Sequence, residues 1–180
     1  MDRDGRNGTI LASDGRTAPF TRAGGGRPTV RGVDVMACLG ELVELGRTGD
    51  AEGARRRLAE LWEDAEVASD PLARCTLAHH AADLQPDLVD ELLWDLRALE
   101  AADEITAERG RAHHAWLDIA ALYPSLHLNL GDDHHRLGDA AGARHHLDRA
   151  RACLDQLPDD GYGRMIRAGV AALGQRCGAR

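Results

Sequence analysis

Gly49-Asp50-Ala51-Glu52-Gly53-Ala54-Arg55-Arg56-Arg57-Leu58 returns downstream as Gly138-Asp139-Ala140-Ala141-Gly142-Ala143-Arg144-His145-His146-Leu147. Self-similarity of this kind is the signature of stacked helical repeats, in which each unit buries its apolar face against its neighbours. The two copies therefore predict equivalent helical hairpins, with Ala54 and Ala143 in the interior. Working outward from them, the chain from Val33 onward is rich in Ala and Leu, poor in aromatics, and places its apolar residues three and four apart. That period belongs to amphipathic helices and not to strands.

A first helix is expected from Val33 to Gly46. Gly49-Asp50 turns the chain into a second, carrying Ala54, Leu58 and Leu61 on one stripe. Asp70-Pro71 starts a third that reaches Leu84, with Asp as its cap and Pro where a missing N–H costs nothing. Pro86 opens a fourth whose Leu88, Leu92, Leu96 and Leu99 are expected to face inward. A fifth spans Thr106 to Ala121, and Pro124 begins a sixth that ends at Gly138. The seventh runs from Ala140 to Leu157, with Ala143, Leu147, Ala150 and Leu154 inward. A last helix, Tyr162 to Arg176, closes the open end through Met165, Ile166, Val170 and Leu173.

A chain of 180 residues with 43% hydrophobic content supports one domain. Residues 1–31, rich in Gly, Arg, Asp and Thr, show no helical period and read as a disordered tail ahead of a helical domain over 32–180. The alternative is translation from Met36, without the tail. All 22 basic residues are Arg, a usage that reflects a GC-rich, bacterial genome more than a selected function. The net charge of −8 disfavours nucleic acid or an anionic membrane as partner and suits a basic or polar peptide. Cys38, Cys75, Cys153 and Cys177 form no Cys-x-x-Cys pair, as expected of reduced thiols. No stretch reads as a membrane span or signal peptide, so the expected location is the cytoplasm.

The segment Asn129-Leu130-Gly131-x-x-His134-x-x-x-Gly138-Asp139-x-x-x-Ala143-x-x-x-Leu147-x-x-Ala150 resembles the tetratricopeptide repeat, a helix-turn-helix of about 34 residues. The resemblance implies a right-handed solenoid of antiparallel helix pairs. Gly131 and Ala143 would allow close approach of two helices, Leu130, Leu147 and Ala150 would fill the seam, and His134 would stand where the family carries an aromatic ring. His127 takes the place of the family's first-helix Trp. Leu39 to Leu61 fits the second half of the motif, and the copies lie 89 residues apart, not a whole number of units, so 103–123 reads as an extra helix or linker.

The resemblance also implies a ligand groove lined by the first helix of each pair. Asn129, Asp132 and Arg136 share one face of such a helix, joined by Arg74 and His80 upstream. The expected function is non-catalytic binding of a protein or peptide, without cofactor, with self-association as a further expectation. Ser-His-Asp order, nucleophile elbows, P-loops and dinucleotide glycine patterns are absent from the sequence.

An alternative reading concerns nine histidines between His79 and His146. Adjacent histidines on a helix diverge by about 100°, whereas four-residue steps align. Cys75, His79 and Asp83 step by four, and His127 or His113 would complete a metal or proton-carrying site. His145 and His146 replace Arg56 and Arg57 of the first copy and are expected in solvent. Asp132-Asp133 reads as a polar helix face and Asp159-Asp160 as a helix-start cap.

Overall fold

The computed structural model describes residues 29–30, 33–107 and 120–178. Both matching decapeptides build the same turn for the same physical reason. Gly49 and Gly138 close their turns with φ of +120° and +82°, a left-handed conformation that a Cβ disfavours. The next aspartate caps the following helix: Gly53 N–H donates to Asp50 Oδ1 at 2.8 Å, and Gly142 N–H donates to Asp139 Oδ1 at 3.0 Å. Each carboxylate thereby satisfies an amide that has no partner within its helix. Asp160 does the same before the last helix, accepting from Gly163 N–H at 2.9 Å.

Around these turns the described residues form eight helices: α1 (Val35–Arg47), α2 (Ala51–Trp62), α3 (Ala65–Ala68), α4 (Pro71–Ala82), α5 (Leu88–Ala107), α6 (Tyr123–Arg136), α7 (Ala140–Ala152) and α8 (Gly161–Gly178). Asp70 caps α4 through Leu72 and Ala73, with Pro71 in its first turn as the sequence predicts. The predicted helix to Leu157 ends earlier, at Ala152, and gives way to a 3-10 turn over Leu154–Gln156. Two short strands, β1 (Thr29–Val30) and β2 (Val33–Asp34), pair antiparallel, so the expected first helix begins at Val35 and not at Val33. The rest of the predicted tail, and most of the predicted helix from Thr106 to Ala121, lie outside the described residues.

Helices pack as successive antiparallel pairs, α4 with α5 and α6 with α7, while α8 covers both α6 and α7. Three apolar cores follow one another along the chain. The first joins Leu39, Leu42, Leu58, Val67, Ala73, Leu77 and Ala81 from α1 to α4. The second joins Cys75 and Ala78 of α4 to Ala98, Ala101 and Ala102 of α5 and Leu126 of α6. The third joins Leu128, Leu147, Ala150, Leu157, Ile166, Val170 and Leu173 from α6 to α8. Trp62 and Trp94 pack against both of the first two cores and meet edge to face, with ring centroids 5.3 Å apart. Ala54 and Ala143 are both buried, as the paired copies require. The tightest neighbour of Gly131 is α8 and not the paired helix: a Cβ there would lie 2.7 Å from Leu173 Cδ2, but an ordinary 3.5 Å from the Ala143 carbonyl oxygen of α7.

The predicted inward face of α5 is incorrect. Leu96 is exposed and Leu88, Leu92 and Leu99 are half-buried, whereas Asp95, Ala98, Ala101 and Ala102 point inward. Both sets satisfy the helical period. Small side chains take the inner face, where Ala98, Ala101 and Ala102 pack with Cys75 and Ala78 of α4 and with Leu126 of α6.

Replacing either cap, Asp50→Ala or Asp139→Ala, is expected to lower the unfolding free energy by about 1 kcal/mol, with the two effects additive because the turns share no partner. Urea denaturation of both variants and the double variant measures this, and no loss in either would remove the caps from the fold's support.

Candidate functional site

The same inward rotation of α5 carries Asp95 into the seam between α4, α5 and α6. Asp95 and Asp133 of α6 are each only 1% exposed, and each carboxyl lies in the field of the other. Burial and a neighbouring carboxylate both disfavour ionisation of a carboxyl. Burial first, then the charges of Asp95 and Glu91, push the Asp133 carboxyl up to about 9 against the opposing pull of Arg136. The expectation that Asp132-Asp133 forms a polar surface holds for neither residue alone. Asp133 is in the core of the seam, and Asp132 is half-buried and paired with Arg176 of α8.

Around these two carboxyls stand residues from all three helices. Asn129 Nδ2 donates to Asp95 Oδ1 at 3.4 Å, and His79 Nδ1 lies 3.8 Å from the same oxygen. Burial works against a charge on His79, but the approach of Asp95 and the field of Asp83 outweigh it and raise the imidazole pKa. Arg136 Nη1 donates to Glu91 Oε1 at 2.8 Å and lies 3.6 Å from Asp133 Oδ1. No donor reaches Asp133 Oδ2, and His79 Nδ1 has no hydrogen-bond partner. Asp83 caps the C-terminus of α4 at the edge of this cluster.

The structure thus brings His79, Asp83, Asn129 and Arg136 to one seam and sends the remaining predicted site residues elsewhere. Arg74 Nη1 holds both carboxylate oxygens of Glu104, at 2.8 and 2.9 Å, while its guanidinium lies 5.4 Å from the Trp62 ring centroid. His80 is held neutral, its pKa lowered to about 4 by burial and then by His79. Cys75 sits in the second core, where burial pushes its thiol up to about 12. Among the described residues no group of three or more His, Cys, Asp or Glu is arranged to hold a metal ion.

His127 turns away from the Cys75–His79–Asp83 face. Its Nδ1 lies 3.1 Å from Nδ1 of His146, so one ring donates to the other. His146 corrects the expectation drawn from Arg57: it is buried, while His145 remains exposed. His134 fills the ring position expected of it, stacking on His146 at 5.3 Å with its Nδ1 3.0 Å from Asp139 Oδ2. Burial, then Arg149 and His145, lowers the pKa of His127 to about 4. Burial, then His127, His134, His145 and Arg149, does the same for His146.

Asp95 and Glu91 were not legible as site residues, since nothing in the sequence around them differs from a solvated acidic helix face. Comparison with family models, with curated proteins and with solved structures returns no match. Among the described residues no helix is long and apolar enough to cross a membrane.

Two opposite pH responses follow. Asp133 holds a proton in the native state up to about pH 9 that the unfolded chain releases near its ordinary value of 3.8, so it withdraws stability as pH rises between those limits. Asp133→Asn should be more stable than the parent at about pH 8 and should lose less melting temperature between about pH 6 and pH 9; an unchanged slope overturns the raised Asp133 carboxyl. His127 and His146 stay neutral in the native state down to about pH 4, so the unfolded chain binds more protons below its ordinary histidine value and stability falls on acidification. His146→Gln should flatten that acid limb, read by thermal melts at several pH values, and a limb of unaltered steepness would exclude the histidine pair as its source.

Proposed function

We propose that this chain is a non-catalytic binding module of the tetratricopeptide type, which takes a basic segment of a partner protein at the acidic seam. The observation that carries the reading is an excess of carboxyls: Asp83, Glu91, Asp95 and Asp133 gather at one place, where Arg136 pairs with Glu91 and approaches Asp133. Such a centre is relieved by an added cation, and a guanidinium or ammonium has the donors to match it. Glu91 and Asp83 supply the reachable rim, with Asn129 beneath. Arg136 serves as the internal occupant that the ligand displaces. Asp95 and Asp133 are too deeply buried to meet a substrate bond, which favours binding over acid–base chemistry.

A short, flexible Gly/Ser peptide carrying spaced arginines should bind the full chain, and its Glu counterpart should not. Glu91→Gln should weaken the Arg peptide about tenfold, whereas Arg136→Gln, by freeing Glu91, should strengthen it. Calorimetric titration reads all of these. Preference for the Glu peptide, or weakening by Arg136→Gln, would mean that Arg136 itself grips an acidic ligand and would end the proposal.

A further inference from the structure

We propose that the outward face of α5 docks an amphipathic helix with basic flanks from a partner protein. Val89, Leu93 and Leu96 are 61%, 44% and 42% exposed, and steps of four and three set them in one line along the helix. Single exposed leucines are ordinary, but a line of them on one helix is the pattern by which a second helix is gripped. The line has no inward alternative, because the opposite side of α5 is filled by Asp95, Ala98, Ala101 and Ala102.

Charge identifies the occupant. Asp90 and Glu100 are exposed beside and beyond the apolar line. The one cation of α5, Arg97, is held over the rings of Trp94 and Trp62, with its guanidinium 4.4 and 5.4 Å from their centroids. A second copy docking antiparallel would set Asp90 toward Glu100 in a chain whose net charge is already −8, a repulsive match. Arginine or lysine beside the apolar stripe of a partner helix turns the same acids into attraction and faster encounter. This face lies on another side of α5 from Asp95, so it stands or falls apart from the acidic seam.

The probe is a synthetic amphipathic helix of about three heptads, with Leu at the seam positions and Arg at the flanks, beside a twin carrying Glu at the flanks. In calorimetric titration of the full chain the Arg helix should bind, the Glu helix should bind about tenfold more weakly or worse, and the double variant Leu93→Ser, Leu96→Ser should weaken the Arg helix by about tenfold or more. Circular dichroism checks that the double variant is folded; Val89→Ser, at the most exposed position, gives the same reading should it not be. Glu91→Gln should leave this affinity unchanged while lowering that of the flexible Arg peptide, which separates the two surfaces. Equal binding of the two helices, or undiminished binding by the leucine and valine variants, overturns the proposal. So does a chain that sediments as a dimer and becomes monomeric in the double variant, because the face then belongs to a second copy.

Discussion

Close contact between α4 and α5 through small side chains governs what the neighbouring residues are able to do. Cys75 and Ala78 on one helix meet Ala98, Ala101 and Ala102 on the other, with Leu126 of α6 completing the cluster. Two consequences follow from a single rotation of α5. Asp95, next to the alanine face, is carried into the seam with α6, where it meets Asn129 and Asp133. Val89, Leu93 and Leu96 are left facing water. The acidic centre and the apolar line are therefore two results of one packing choice.

The seam is costly to the fold. A carboxyl buried beside another carboxyl is stabilised less than an apolar side chain of its size would be, even when a proton and Arg136 lessen the repulsion. Natural chains commonly tolerate such local conflict where a ligand relieves it. Nothing comparable strains the histidine pair in α6 and α7, where two neutral rings satisfy each other and His134 covers one of them. Its character is that of a polar core contact, and its consequence is sensitivity to acid.

The legible parts of the fold were those fixed by backbone needs. Gly49 and Gly138 are required by their φ values, and the caps at Asp50, Asp70, Asp139 and Asp160 by unpaired amides, so helix starts could be located from residues alone. Internal copying added that Ala54 and Ala143 would be buried together. Copying failed at His146, because Arg57 is exposed in the first hairpin whereas α6 supplies a ring, His127, for His146 to meet. Periodicity failed on α5 because leucine and alanine sets both repeat at three and four residues, and which set is interior depends on the partner helix. Asp95 and Asp133 lay beyond sequence reasoning for the same reason: they are 38 positions apart and become neighbours only when α5 and α6 are laid together.

Successive cores share helices: α4 gives Leu77 to the first and Ala78 to the second, and α6 gives Leu126 to the second and Leu128 to the third. These two helices are party walls, finished on both sides, and Trp62 and Trp94 lean on the partition between the first two rooms. Loosening at either end of the chain is stopped at the nearest wall, which has its far side still packed. The acidic seam spans both walls, so a cation seated there would clamp the middle of the molecule while leaving the two ends free to breathe.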